Sequence, residues 1–136
     1  MSLTGIKAAI VASLNTISGL TAYSQLPDSI NEPLPVALVI PRTGEFDMDA
    51  GGNMLHKFEV TLLLQRMGDL SQAQTDLDTY LDDTGTYSIK ATLESTATVL
   101  TGHAHCLRVE RWRDYGGMKY AEQDYMGCRF DIAVIA

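Results

Sequence analysis

Apolar residues recur at steps of three and four at the start of the chain, at Leu3, Ile6, Ile10, Leu14 and Ile17. This spacing puts the five side chains on one face of an α-helix. Gly19 follows, and glycine readily adopts the left-handed conformation that ends a helix. The pattern predicts an amphipathic helix that ends at Gly19 and packs on a sheet of the same domain.

Two apolar stretches in the next part of the chain predict a β-hairpin. Residues 36–40 (VALVI) are rich in β-branched side chains and lie between two prolines, as in a central strand. In residues 57–65, apolar side chains alternate with polar ones, which gives a strand with one apolar face. Residues 49–53 (DAGGN) tolerate positive φ and predict a loose hairpin tip. Before the hairpin, residues 20–23 predict a short strand and residues 26–35 a proline-rich connector.

Helical spacing returns after the hairpin. Asp69 or Ser71 can cap a second helix that Gly85 stops, and residues 88–95 predict a short third helix. A strand at 105–112 follows, and Gly116 with Gly117 predicts a turn. The last strand has one apolar face, formed by Met126, Cys128, Phe130, Ile132 and Val134.

This order of elements predicts one α+β domain over residues 1–136. Its sheet is mostly antiparallel, with the N-terminal helix and the two central helices packed on one face. The hydrophobic content of 46% and the charged content of 20% are those of a folded globular protein. No apolar run has the length of a membrane-spanning helix, and no signal peptide is expected. The only two cysteines, Cys106 and Cys128, are expected to be free thiols.

Catalytic and metal motifs are missing from the sequence. His103 and His105 could begin a zinc site, but no second ligand pair lies at a usual spacing, so we expect no metal. Gly51 and Gly52 are followed by Asn53 and not by the Lys-Ser/Thr of a phosphate loop. We therefore expect a protein that is not an enzyme and has no cofactor.

Two charged stretches and an apolar hairpin are the candidates for interactions. The first stretch is acidic and consists of Asp76, Asp78, Asp82 and Asp83. It is either a solvated face or a surface toward a partner or lumen. The second combines cations with an aromatic ring, at Arg108, Arg111, Trp112 and Arg113. It suits an interface, a nucleic-acid platform or Arg–Glu pairing across a sheet. The hairpin offers apolar side chains for a ring or tube contact, at Phe46, Met48, Met54 and Leu55.

The overall charge weighs against the nucleic-acid alternative. The chain has 17 acidic and 10 basic residues, which gives a net charge of −7. Tight binding to phosphates depends on Lys and Arg that displace counterions. Non-specific contact with DNA that slides past the protein is compatible with this charge.

The whole-length order of these elements resembles that of the tail terminator (tail completion, or neck) proteins of long-tailed bacteriophages. The matching stretches are residues 26–33 (LPDSINEP), 72–81 (QAQTDLDTYL), 88–94 (SIKATLE) and 126–132 (MGCRFDI). The resemblance implies a structural protein of the virion, assembled in the host cytoplasm and placed at the head-proximal end of the tail. Its implied partners are copies of itself in a hexameric ring, the tail tube protein and the head–tail connector, with genomic DNA passing through the lumen. A head–tail connector or stopper subunit is the nearest alternative. A small binding module or an enzyme of unknown substrate is more distant.

Overall fold

A computed structural model of the protein describes residues 3–30, 34–46, 54–66, 70–95 and 106–135. The elements in chain order are α1 (Leu3–Leu14), β1 (Thr21–Tyr23), β2 (Val36–Glu45), β3 (Leu55–Arg66), α2 (Leu70–Leu81), α3 (Ile89–Glu94), β4 (Cys106–Tyr120) and β5 (Gln123–Ile135). The strands form one five-stranded sheet in the order β1-β2-β3-β5-β4. Only the β1–β2 pair is parallel, so the predicted α+β class is confirmed.

The main core lies between one face of the sheet and the three helices. The predicted alternation in β3 and β5 is confirmed, because the alternating apolar side chains from Phe58 to Leu64 and from Met126 to Val134 belong to this core. From the helices come buried residues that include Ile6, Ile10, Leu77, Ile89 and Leu93. The sheet contributes buried residues that include Phe58, Val60, Leu62, Phe130 and Ile132.

Among the residues that the structure describes, the second face of the sheet is covered by apolar side chains at one end. A smaller apolar cluster there joins the connector to the sheet, with Ile30, Val36, Leu38, Leu63, Met118 and Tyr125. The Tyr120 hydroxyl donates a hydrogen bond to the Pro27 carbonyl and ties the connector to the end of β4. The other end of this face carries charged side chains.

The first helix is shorter than predicted, because α1 ends at Leu14 and not at Gly19. Polar side chains after Leu14 bond locally and compete with the helical backbone. The Asn15 Oδ1 accepts from the Ala22 N–H at 2.9 Å, and the Thr16 hydroxyl donates to the Ser13 carbonyl at 2.6 Å. Gly19, with φ of 82°, then redirects the chain into β1.

The predicted turn at Gly116 and Gly117 is wrong. β4 continues through both glycines to Tyr120, and the turn is made by Ala121 and Glu122 at φ of 50° and 67°. Two residues with positive φ form the tight turn that suits the twist of a hairpin. The pairing register shifts between Arg113 and Gly116, which has φ of 141°, so this glycine serves a β-bulge instead.

β2 continues past Pro41, the proline that bounds the predicted strand at residues 36–40, and ends at Glu45. The register shifts between Pro41 and Thr43, and β1 pairs only with Val36 to Leu38. The distal half of β2 is therefore an edge, where proline is tolerated. The predicted hairpin is confirmed at its base, where Glu45 pairs with Leu55. Its tip at 49–53 lies outside the described residues, as do Asp69, His103 and His105.

The third helix begins as predicted. The Ser88 Oγ accepts from the Ala91 N–H at 3.0 Å, which caps α3, and donates to the Asp82 carbonyl at 2.5 Å. α2 ends at Leu81, so Asp82 and Asp83 lie in the turn after the helix. No helix in the described ranges is long and apolar enough to cross a membrane.

Candidate interaction surfaces

A buried carboxylate organises the charged end of the open sheet face. The side chain of Glu59 is only 4% exposed and bonds Arg42 and Arg113 at 2.5 Å each. The Arg129 guanidinium lies 3.8 Å from the same carboxylate. These side chains come from four adjacent strands, so Glu59 joins β2, β4 and β5 across β3.

A second carboxylate extends this network toward β4. Asp131 accepts from Arg111 at 2.5 Å and from Arg113 at 3.1 Å. Arg113 also bonds Asp114, which pairs in turn with Arg129 at 3.0 Å. Arg113 therefore contacts three carboxylates and is a structural residue of the sheet face, as the cross-strand alternative anticipates.

The arginines hold the two carboxylates in their charged form. Burial raises the pKa of Glu59, but hydrogen bonds and charges from Arg42 and Arg113 lower it by more, so the net pKa is below its ordinary value. Burial raises the pKa of Asp131 too, and Arg111 and Arg113 again more than offset it. Because both carboxylates are charged, their ion pairs with arginine link neighbouring strands of the sheet.

Two aromatic side chains project from β4 on the helix side of the sheet. Trp112 is 50% exposed and Tyr115 is 38% exposed, and their ring centroids are 6.1 Å apart. The Tyr115 hydroxyl donates to the Asp78 carboxylate on α2 at 3.2 Å, and its pKa is raised by burial and by that bond. Beside Trp112 lies a cleft of about 220 Å³, which also contacts Leu81 and Asp83. We call Trp112 and Tyr115 the aromatic knob.

An apolar groove lies toward the opposite edge of the sheet, beside β2. It has a volume of about 340 Å³ between the start of α1 and the distal half of β2, and its lining includes Leu3, Pro41, Phe46, Met54 and His56. Phe46 is 79% exposed and Leu3 is 42% exposed. An ideal Cβ on Gly44 would lie 2.9 Å from the Met54 Cε, so the glycine leaves room for that side chain. We call this cavity the hairpin groove.

The outer edge of β4 is protected against pairing with another strand. The Val109 N–H donates to the Glu94 carboxylate of α3 at 3.1 Å, which satisfies one of the donors at that edge. Two register shifts, after Val109 and after Arg113, bend the strand. Arg108 and Arg111 are exposed along it. Bulges and charges of this kind block edge-to-edge pairing, so contacts here are made by side chains.

The four acidic candidates are not brought together on one surface. Asp76 lines a cavity of about 520 Å³ with Tyr80 and Tyr87, whereas Asp78 contacts Tyr115 on the β4 side. Asp83 lies at the cleft beside the aromatic knob. A single acidic face of α2 is therefore not formed, although all four residues are exposed.

The 520 Å³ cavity lies between α2, the end of β3 and the proline-rich connector. Its walls are Ser18, Leu34, Pro35, Leu64, Gln65, Asp76, Thr79, Tyr80 and Tyr87. Tyr80 and Tyr87 meet edge to face at 5.9 Å, and burial raises the pKa of the Tyr80 hydroxyl. Its lining supplies the carboxylate of Asp76 and several hydroxyl groups. This set of side chains does not indicate a particular reaction.

The remaining sequence candidates fall into two groups. Leu55 is half-buried at the hairpin base, and Met48, His103 and His105 lie outside the described residues. In the parts of the chain that the structure describes, no cluster of three or more His, Cys, Asp or Glu side chains could hold a metal ion. Cys128 is a buried free thiol whose pKa is raised to about 12 by burial.

The Glu59 network and the role of Tyr115 are not predicted from the sequence. Charged residues do occupy the polar positions of three predicted strands, which could have indicated ion pairs on that sheet face. Which of these side chains meet depends on the strand register, and the sequence does not show the register. No protein-family model matches this chain, and a search of curated proteins also finds no match.

Proposed function

We propose that this protein is a tail terminator, a structural subunit that assembles into a ring on the phage tail tube and ends its polymerisation. The observation that carries the proposal is the whole-length order of elements and matching stretches described above. The α+β architecture, with a long hairpin and three helices on one sheet face, is the fold that the resemblance implies. It supports the proposal without distinguishing a terminator from a neighbouring connector subunit.

The distribution of exposed apolar side chains also supports a self-assembling subunit. Phe46 and Trp112 are among the large apolar residues that stay exposed, and they lie toward opposite edges of the sheet. A contact between unlike patches of identical subunits is heterologous, and repetition of such a contact closes a ring when its rotation allows. The protected edge of β4 favours side-chain contacts between subunits, which can stop at a ring, over an extending sheet.

The role of the terminator follows from the same symmetry argument. A tube grows because each added subunit presents the same surface again. A terminator binds that surface and presents a different one, so growth ends. The acidic excess of the chain suits a lumen that must let DNA slide, and Asp82 and Asp83 are our candidates for lumen residues.

The test is to add the purified protein to tail tubes during their polymerisation in vitro and to measure lengths by negative-stain microscopy. We expect a ring at one end of each tube and a mean length that falls as the protein concentration rises. Unaltered lengths and bare ends would contradict the proposal. Binding to the head connector without binding to tubes would favour a connector or stopper instead.

The lumen assignment has its own test in phage particles assembled with variants of the protein. Lys at Asp82 and Asp83 should leave capping intact but slow DNA ejection, because lysines retain phosphates electrostatically. The matched control is Lys at Glu122 and Asp124, which are exposed at the β4–β5 turn. Equal ejection rates for the two double variants would refute the assignment.

A further inference from the structure

We propose that the cavity of about 520 Å³ between α2, the end of β3 and the connector binds an aliphatic ammonium group, of the kind carried by a free amine or by a lysine side chain. We call it the α2 cavity. Its volume lies within the range of about 300–1,000 Å³ that is usual for small-molecule sites. This inference does not depend on the proposed function, because the cavity belongs to a single subunit.

Five segments of the chain build the α2 cavity. The helix supplies Asp76, Thr79 and Tyr80, which lie on one face because they are spaced at three and four residues. Tyr87 follows in the segment between α2 and α3. The end of β3, the connector and the segment after α1 supply the other walls, with Leu64, Gln65, Leu34, Pro35 and Ser18. The cavity is therefore a product of the fold and not of one exposed helix face.

The lining of the α2 cavity offers several hydrogen-bond acceptors. A carboxylate only accepts hydrogen bonds, and Asp76 supplies one. The Thr79 hydroxyl donates its proton to the Asp76 carbonyl at 2.6 Å, so its oxygen keeps lone pairs for a further donor. The hydroxyl of Ser18 and the amide of Gln65 can accept as well. An ammonium group has several N–H donors and no acceptor, so it matches this lining.

The electrostatics of the α2 cavity also favour a cation. The residues that line it, all in the described part of the chain, include one carboxylate and no Lys or Arg. Burial raises the pKa of the Tyr80 hydroxyl, and electrostatic interactions with Tyr87 and Asp76 raise it further. These two neighbours therefore produce a negative field at that hydroxyl, which attracts a cation and repels an anion.

Aromatic and apolar side chains complete the site. The rings of Tyr80 and Tyr87 meet edge to face, with their centroids 5.9 Å apart. Tyr80 is buried, which fixes this ring before a ligand enters. A tyrosine ring attracts a cation to its face. Leu34, Pro35 and Leu64 give an apolar wall, against which the methylene chain of an alkylammonium ion can pack.

The test is a titration of the whole protein with butylammonium at neutral pH, followed by NMR of the backbone amides. The matched uncharged probe is n-butanol, because it has the same carbon chain. We expect saturable shifts at Asp76, Thr79, Tyr80 and Tyr87 with a dissociation constant in the millimolar range, and binding of n-butanol at least about tenfold weaker. Equal affinities for the two probes, or the absence of saturable shifts at these residues, would overturn the inference.

Two pairs of variants distinguish recognition by the cavity from a general effect of charge. Asp76→Asn should weaken butylammonium binding at least about tenfold, because it removes the carboxylate. Its control is Asp78→Asn, which removes the same charge from α2 at a position that contacts Tyr115 outside the cavity. Tyr87→Leu should weaken binding about threefold, whereas Tyr115→Leu, at a tyrosine of similar exposure, should not. All four positions are exposed, so these variants are compatible with folding. Equal losses in the two Asn variants would overturn the inference.

Two further probes identify the source of the ammonium group. Cadaverine is a free diamine, and Nα-acetyl-lysine methylamide presents its ammonium group as a protein does. Tighter binding of cadaverine assigns the cavity to a free amine, and tighter binding of the blocked lysine assigns it to a lysine of a protein partner. Binding of either probe supports the inference. Failure of both probes to shift the amide signals of the cavity would overturn it, whatever the result of the tube-capping assay.

Discussion

Replacing Glu59 with Gln should destabilise the domain far more than replacing Glu110 with Gln. Both carboxylates pair with a cation from a different strand, at 2.5 Å for Glu59–Arg42 and 2.7 Å for Glu110–Lys57. They differ in burial, because the Glu59 side chain is 4% exposed and that of Glu110 is 36% exposed. The two variants therefore compare a buried carboxylate that bonds two arginines with a half-exposed carboxylate in a single ion pair.

The magnitude follows from the bonds that the amide cannot make. Gln can accept with its carbonyl oxygen, but its NH₂ group would face a guanidinium donor, so one charge-assisted bond is lost. A bond of this kind is worth about 1.5–3 kcal/mol. Arg42 and Arg113 are partly exposed and can turn to water, and Arg113 keeps Asp131, which limits the loss. We expect about 2 kcal/mol for Glu59→Gln and below about 0.5 kcal/mol for Glu110→Gln.

The assay is urea and thermal unfolding of the two variants at neutral pH. For a domain of this size, a loss of about 2 kcal/mol lowers Tm by about 6–8 °C. The variants should keep the native circular dichroism spectrum before unfolding. Equal losses for the two variants would refute the claim that Glu59 organises the open sheet face.

The same substitution has a defined dependence on pH. The pKa of Glu59 is below its ordinary value of 4.5 in the fold, so its charged form stabilises the native state above that value. This contribution is lost as the pH falls through the lowered pKa. The stability gap between the unaltered protein and Glu59→Gln should be constant well above pH 4.5 and should narrow as the pH falls below that ordinary value. A gap that is unchanged at pH 3 would contradict the assigned charge.

Three further predictions concern other parts of the domain. Ser88→Ala should cost about 1–2 kcal/mol in urea unfolding, because it removes the cap of α3 and the bond to the Asp82 carbonyl; a loss below about 0.3 kcal/mol would contradict this. Asn at both Asp82 and Asp83 should leave Tm unchanged or slightly raised, because these charges oppose the dipole of α2, and a large drop would show a structural role. Cys128 should react with thiol reagents only at the rate of unfolding, since its pKa is raised to about 12, and rapid labelling of the native protein would show otherwise.

The sequence predicts a local feature of this fold well where the spacing of apolar residues alone decides it. The side of the sheet on which Phe58, Val60, Phe130 and Ile132 lie follows from alternation alone, since burial on one face repeats every second residue. The short helix predicted over residues 88–95 is a similarly local feature, and α3 spans Ile89–Glu94. Trp112 is exposed on β4, and its role as an interface residue stays a prediction.

Features that depend on pairing between distant segments are not predictable in this way. Gly116 serves either a turn or a bulge, and only the partner strand decides between them. Glu59 occupies a polar position of its strand, but it is buried because arginines from three other strands surround it. The hairpin groove likewise depends on how α1 lies against β2, which the pattern of neither segment specifies.

Complementation tests most directly our proposal that this protein ends tail growth. The gene for the protein would be deleted from a phage genome that encodes it. Tail lengths would then be measured by electron microscopy, with and without the protein supplied in trans. Without the protein we expect overlong tails that are not joined to heads, and normal joined tails when it is restored. Tails of normal length attached to full heads in the absence of the protein would contradict the account.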